Sequence, residues 1–115
     1  MTSGLDQIKL TVPQRAILAS LLSSFADNFF AIVAYGSRAR GDARPGSDLD
    51  LAVVGPTSPN IVGNLHSALD ESDLPFASDV VTLDSRLDSK MRSEILRDGI
   101  VLAGSQAAHW RNFIT

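Results

Sequence analysis

The most restrictive feature of this sequence is the alternation of amphipathic helical patterns with short apolar runs that end in Gly or Asp. The first helical pattern covers residues 11–25, where apolar side chains recur at helical spacing at Ile17, Leu18, Leu21, Leu22 and Phe25. Thr11 is a candidate N-cap, and Pro13 is tolerated in the first turn. The segment "NFFAIVAYG" then predicts a buried strand that ends at Gly36.

The alternation continues through the rest of the chain. "DLDLAVVG" predicts a second strand, and "SPNIVGNLHSALDES" predicts a helix with Ser58 as its cap and Pro59 at its first position. "FASDVVTLD" predicts a third strand, "SRLDSKMRSEILRDG" a helix capped by Ser85 and closed by Gly99, and "IVL" a short fourth strand. The predicted fold class is therefore α/β, with three or four strands and helices packed on the sheet.

Length and composition limit the possibilities further. A chain of 115 residues, 44% apolar and 20% charged, is typical of one compact domain with no long disordered segment. We expect a single domain over 1–115, with its core at 10–103 and a C-terminal tail at 104–115. In that tail, Trp110, Phe113 and Ile114 fall at helical spacing and fit either packing on the core or contact with a partner.

Several classes of protein do not fit the composition. The longest apolar run, Phe29 to Tyr35, is far shorter than the roughly 20 residues of a membrane-spanning helix, so no membrane association is expected. The start "MTSGLDQIKL" lacks a signal-peptide pattern, and we expect a cytoplasmic protein. The absence of cysteine excludes disulfides, and a net charge of -3 argues against direct nucleic-acid binding by general electrostatics. Any phosphate must therefore bind at a small site formed by a few residues, and not on an extended basic surface.

Two aspartates at the start of the second strand suggest a cation site. Side chains alternate along a strand, so Asp48 and Asp50 are expected on the same side, about 7 Å apart along the strand. Like charges at that distance repel unless a cation lies between them, and Mg²⁺ prefers carboxylate oxygens. The alternative is an ordinary surface turn over 45–48, with Asp50 at a solvated strand edge.

A third aspartate lies in the third strand. In "FASDVVTLD" the face formed by Ala77, Val81 and Leu83 is apolar except for Asp79, which suggests a two-metal site for displacement at phosphorus. The alternative for Asp79 is an edge-strand residue that faces water. Asp84 is explained by a turn at the end of the strand.

The turn after the first strand suggests an anion site. Gly36 allows close backbone approach, Ser37 offers a hydroxyl, and Arg38 and Arg40 can neutralise the outer phosphates of a triphosphate. A Walker-type loop is excluded because no lysine occurs between Lys9 and Lys90. The alternatives are a plain strand-ending turn and solvated arginines.

Together, the stretch "GSRARGDARPGSDLD" and the later "SDVV" resemble the Gly-Ser, Asp-X-Asp and third-acid signature of polymerase β-type nucleotidyltransferases. The length, "GSRARG" and "SDLDL" are similar to the minimal nucleotidyltransferases, which are usually encoded beside a HEPN-domain toxin as its antitoxin. The resemblance covers most of the chain, from Phe29 to Leu102. It implies a small mixed β-sheet with helices packed on it.

The resemblance also implies roles for individual residues. Asp48 and Asp50 would bind two Mg²⁺ ions that bridge an ATP triphosphate, and Asp79 would bind the catalytic ion and help deprotonate the acceptor hydroxyl. The phosphate-binding residues would be Gly36 and Ser37, with Arg38 and Arg40 stabilising the departing pyrophosphate and Ser47 orienting Asp48 or touching a phosphate.

Three functions fit these expectations. The first is transfer of AMP from ATP to a tyrosine of the HEPN toxin. The second is a non-catalytic antitoxin that masks the toxin. Degraded carboxylates would favour this function, but all three carboxylates are intact. The third is transfer to a small molecule, as in the similar kanamycin nucleotidyltransferases, which carry an additional helical domain.

Overall fold

The computed structural model describes residues 4–55 and 58–113, which fold into a four-stranded mixed sheet with helices on both faces. The strands are β1 (Ala31–Tyr35), β2 (Leu49–Val54), β3 (Ser78–Thr82) and β4 (Ile100–Ala103). Their order in the sheet is β3-β2-β1-β4. β1 is antiparallel to β2 and β4, whereas β2 and β3 are parallel. The mixed sheet implied by the family resemblance is therefore confirmed.

The helices are α1 (Val12–Ser23), the single turn α2 (Ser37–Arg40), α3 (Pro59–Asp70) and α4 (Ser89–Asp98). Short 3-10 segments lie at Gly4–Asp6, Ala26–Asn28 and Ala107–Phe113. Among the described ranges, no helix is long and apolar enough to cross a membrane.

Three helix starts test the capping predictions. Thr11 and Gln14 form a complete capping box at α1, and the Ser58 hydroxyl accepts a hydrogen bond from the Ile61 amide at α3, as predicted. The predicted cap of α4 is wrong: the helix begins after Asp88, whose carboxylate accepts from the Met91 amide. Ser85 lies in a preceding turn, where the Asp84 carboxylate accepts from the Arg86 amide. That turn delays the helix by one turn.

The sheet separates two apolar cores. On one face, α1 and α3 pack on the inward side chains of the strands through buried residues that include Leu18, Leu22, Leu65 and Leu69. On the other face, α4 and the last 3-10 segment contribute Ile95 and Trp110. Tyr35 belongs to this second face, which places the carboxyl end of β1 beside α4.

The C-terminal segment packs on the second core. Trp110 is 3% exposed, whereas Phe113 is 42% exposed and lies with its ring 4.3 Å from that of Phe30. Ile114 lies outside the described residues. A close fit at Gly99 explains this packing, since a Cβ there would lie 3.2 Å from the Trp110 ring and 2.4 Å from the Ile95 carbonyl oxygen.

We expect Trp110→Ala to lower the free energy of unfolding by about 3–5 kcal/mol, because it removes a buried aromatic side chain and leaves a cavity. Phe113→Ala is the matched control and should cost about 1 kcal/mol, since that ring is half-exposed and makes one aromatic contact. Urea denaturation followed by circular dichroism measures both. Equal losses for the two variants would contradict the assignment of Trp110 to the core.

Candidate active site

The register of the sheet brings two of the predicted acids together. Asp50 pairs with Asp79 across β2 and β3, and it pairs with Tyr35 across β1 and β2. Directly opposed residues project from the same face, so these three side chains form a row on the α4 side of the sheet. Asp48 lies one residue before β2 and is exposed.

The row of acids is electrostatically coupled. Burial raises the pKa of Asp50, and the charges of Asp79 and then Asp48 raise it further, while Arg40 opposes them. Asp50 is half-buried, whereas Asp79 is exposed because β3 is the edge strand. The exposure of Asp79 matches the alternative of an edge-strand residue that faces water, and its pairing with Asp50 also places it in the row of acids.

The carboxylates have the chemistry of a Mg²⁺ site, since hard divalent cations take carboxylate oxygens. In residues 4–55 and 58–113, no three His, Cys, Asp or Glu groups stand close enough to hold an ion as they are. Side-chain rotation would have to bring Asp48, Asp50 and Asp79 onto one ion. Burial is the main cause of the raised pKa of Asp50, and the repulsion from Asp79 and Asp48 that adds to it is what such an ion would relieve.

Gly36 brings the backbone directly against this row. Its φ of 75° is in the region that favours glycine, and a Cβ there would lie 2.5 Å from the Asp50 Oδ2 atom. A side chain at this position would therefore displace the Asp50 carboxylate. Ser37 follows as the first residue of α2, so the predicted Gly36-Ser37 turn adjoins the acids.

Arg38 is placed differently from the prediction that it contacts phosphate. It is 3% exposed, and its guanidinium carbon lies 3.9 Å from the centre of the Phe76 ring. The guanidinium donates to backbone carbonyl oxygens at Lys9 (2.7 Å), Pro45 (3.0 Å) and Ser47 (2.7 and 3.1 Å). Arg38 therefore fastens the loop before Asp48 to the N-terminal segment, because its Nε, Nη1 and Nη2 atoms all donate to backbone carbonyl oxygens.

Ser47 belongs to the same loop. Its hydroxyl oxygen accepts a hydrogen bond from the Arg44 amide at 2.9 Å, and its own amide donates to the Arg44 carbonyl at 3.0 Å. These bonds close the turn that leads into Asp48. Of the two predicted roles of Ser47, this geometry favours orienting Asp48.

Arg40 also lies beside the acids, and its side chain is more exposed than that of Arg38. Its side chain is 42% exposed and lies 3.4 Å from Asp42 and 3.8 Å from Asp98 of α4. Its charge also opposes the rise in the pKa of Asp50. Arg40 therefore has both the exposure and the position to meet an anion at this site.

Sequence reasoning did not single out Tyr35 or Asp98. Burial, followed by the charges of Asp50, Asp79 and Glu94, raises the pKa of Tyr35 to about 12, so the hydroxyl stays neutral beneath the acids. The position of Tyr35 at the end of β1, directly before Gly36-Ser37, could have indicated from the sequence that it lies beside the site. Asp98 could not be found from the sequence, because only the packing of α4 brings it to Arg40.

His66 lies on α3, and its ring contacts residues outside the row of acids. Its Nε2 atom lies 3.2 Å from the Ser78 carbonyl oxygen, and its Nδ1 atom lies 3.7 Å from Asp70. Both ring nitrogens therefore have partners outside the row of acids.

The mixed sheet presents Asp50 and Asp79 in register, with Asp48 and a Gly-Ser turn beside them, which is the arrangement that the resemblance to nucleotidyltransferases implied. The family model "Polymerase beta, Nucleotidyltransferase" matches residues 18–108. The chain belongs to this nucleotidyltransferase family. The resemblance predicted from the Gly-Ser and Asp-X-Asp motifs is thereby confirmed.

Individual relatives agree with the family. A probable protein adenylyltransferase, MntA of Haemophilus influenzae, is 32% identical over 93 residues, which cover 79% of each protein. A toxin–antitoxin complex solved with AMP-PNP contains a similar chain, with a TM-score of 0.56 and 24% identity over 79% of this chain and 73% of that one. A mutant MntA-HpeT toxin–antitoxin complex gives a TM-score of 0.60 and 22% identity over 85% of this chain and 76% of that one. These structures support the polymerase β-like fold.

Proposed function

We propose that this chain is a Mg²⁺-dependent adenylyltransferase that transfers AMP from ATP to a tyrosine hydroxyl of a HEPN toxin and acts as the antitoxin of that protein. The observation that carries the proposal is the in-register pair Asp50 and Asp79, with Asp48 close enough to raise the pKa of Asp50. The similarity to MntA, a probable protein adenylyltransferase, supports a protein acceptor. The likeness to a toxin–antitoxin complex with AMP-PNP supports ATP and a toxin partner. A cytoplasmic location fits this role.

In this proposal each acid has a distinct task. Asp48 and Asp50 would hold two Mg²⁺ ions, and Asp79 would share one of them. When bound, the ions supply charge neutralisation at the α-phosphate and lower the pKa of the acceptor hydroxyl. The acceptor oxygen forms a bond to the α-phosphorus, the bond to the bridging oxygen breaks, pyrophosphate leaves, and Asp79 receives the hydroxyl proton.

The remaining residues place the nucleotide. The Gly36-Ser37 backbone and the Ser37 hydroxyl contact phosphate, and Arg40 stabilises the charge of the departing pyrophosphate. Arg38 and Ser47 act indirectly, because the loop they fasten ends at Asp48. Arg38 is therefore a positioning residue in this proposal, in place of the phosphate contact expected from the sequence.

ATP and Mg²⁺ should bind together. The acids repel a triphosphate until cations reverse the local charge, so we expect Mg²⁺ to strengthen ATP affinity by roughly 100-fold, or about 2.7 kcal/mol. Isothermal titration calorimetry of ATP with Mg²⁺ and with EDTA measures the difference. Equal affinity in the two conditions would contradict the site as described.

A further inference from the structure

The outer edge of β3 offers backbone groups for pairing. The Leu49 amide donates to the Ala77 carbonyl oxygen at 2.9 Å, and the Leu83 amide donates to the Val53 carbonyl oxygen at 2.9 Å. In a parallel ladder, the residues that alternate with these direct their amide and carbonyl groups to the other side of the strand. For β3 those residues are Ser78, Val80 and Thr82. Within the described part of the chain, no strand pairs with this side.

A groove of about 630 Å³ runs along this edge, between β3 and α3. Its walls include Val62, Gly63 and His66 of α3, Asp79 and Thr82 of β3, and Arg86. His66 Nε2 lies 3.2 Å from the Ser78 carbonyl oxygen, so α3 occupies the edge at Ser78 and leaves it open at Val80 and Thr82. Gly63 keeps the groove wide, because a Cβ there would meet nothing within 4 Å.

Asp79 connects this groove to the active site. Asp79 is among the residues that line the groove, while its side chain projects from the α4 side of the sheet beside Asp50 and contributes to the raised pKa of Asp50. A segment that entered the groove would therefore pass within reach of the acid assigned to the acceptor hydroxyl.

We propose that the groove binds the acceptor segment of the protein substrate in an extended conformation, paired with the outer edge of β3. This inference rests on the proposed transfer to a protein hydroxyl. Strand addition supplies affinity through backbone hydrogen bonds and specificity through alternate side chains. The residue opposite Asp79 would project toward the acids, and its neighbours in sequence would project toward Gly63 and His66 on the α3 side.

A second copy of this chain fits the edge less well. Pairing of β3 with its own copy would bring two Asp79 side chains, each already beside Asp50, close to one another. Like charges opposed across strands destabilise a pair. An acceptor segment with an uncharged hydroxyl opposite Asp79 has no such repulsion.

The test places a larger side chain on the α3 side of the groove and leaves the three acids unchanged. Gly63→Leu places a side chain where the structure leaves space, and Asn64→Leu adds the same side chain at the next, exposed position of α3, outside the groove. With purified HEPN toxin as acceptor, we expect Gly63→Leu to lower kcat/KM by at least about tenfold through a higher KM for toxin. Its Mg-ATP affinity should match that of the wild type. Asn64→Leu and the small Gly63→Ala should retain transfer.

Hydrogen exchange gives a readout that does not depend on activity. Binding of toxin to the wild-type chain should protect the amides of Val80 and Thr82, and Gly63→Leu should reduce that protection. If the complex transfers AMP while these amides exchange as fast as in the free chain, the acceptor segment does not pair with β3. That result would contradict this inference and leave the proposed function unaffected. A wild-type chain that binds Mg-ATP but never modifies the toxin would overturn the proposed function and, with it, this inference.

Discussion

Replacement of Asp48 or Asp50 by Asn is expected to weaken Mg-ATP binding and to stop AMP transfer, whereas Asp79→Asn should leave much of the binding and lose mainly the chemical step. The asymmetry follows because Asp48 and Asp50 are assigned to both ions and Asp79 to one. Loss of metal-assisted catalysis that raises the activation free energy by about 4 kcal/mol lowers the rate on the order of 10³-fold. Single-turnover transfer and calorimetry with Mg-ATP separate the two effects.

Stability measurements control for misfolding. Burial and the neighbouring acids raise the pKa of Asp50 in the folded chain, so the folded state holds that proton more tightly than the unfolded state. When the pH rises above the usual pKa of an aspartate, the negative charge of Asp50 therefore destabilises the metal-free folded state relative to the unfolded state. Asp50→Asn should melt no lower than the wild type at neutral pH without Mg²⁺. A lower melting temperature, or an Asp79→Asn variant that fails to bind Mg-ATP, would contradict the assigned roles.

Arg38→Met is expected to lower the free energy of unfolding more than any replacement of an exposed arginine. It leaves the carbonyl oxygens of Lys9, Pro45 and Ser47 without their buried donor, and each unsatisfied group costs about 1–3 kcal/mol. Three such groups sum to about 3–9 kcal/mol, and because these hydrogen bonds are only partly buried we expect the lower part of that range, about 3–6 kcal/mol, measured by urea denaturation. Arg38→Lys should recover part of it, because one ammonium can satisfy only some of these acceptors.

Arg44→Met is the matched control for Arg38. It lies in the same loop but is exposed, and should change stability by less than about 0.5 kcal/mol. If Arg38 contacted phosphate instead, Arg38→Met would weaken Mg-ATP binding while leaving the free energy of unfolding almost unchanged. That result would restore the role first expected from the sequence.

The sequence predicted the features that depend on local chemistry. The caps at Thr11 and Ser58 followed from side chains that bond to amides three residues away, and the strands followed from apolar runs. Ser85 was mistaken for a cap because the turn around Asp84 uses the same residue types. Local patterns cannot distinguish two positions three residues apart, Ser85 and Asp88, that both favour a helix start.

The features that the sequence did not predict depend on contacts between distant segments. The three acids were recognisable from the family motif, but the burial of Arg38 depends on Lys9 and Phe76, which lie far from it in the chain. The exposure of Asp79 depends on strand order, which places β3 at the edge. Asp98 reaches Arg40 only through the packing of α4.

Co-expression of this chain with its HEPN toxin, followed by tandem mass spectrometry of the toxin, tests transfer of AMP to a tyrosine most directly. The wild-type chain should neutralise the toxin and leave AMP on a tyrosine, and the Asp48→Asn/Asp50→Asn double variant should do neither. Neutralisation by both chains without added AMP would show masking instead of catalysis. Modification of a small alcohol, with the toxin never modified, would likewise contradict the proposed transfer to a protein.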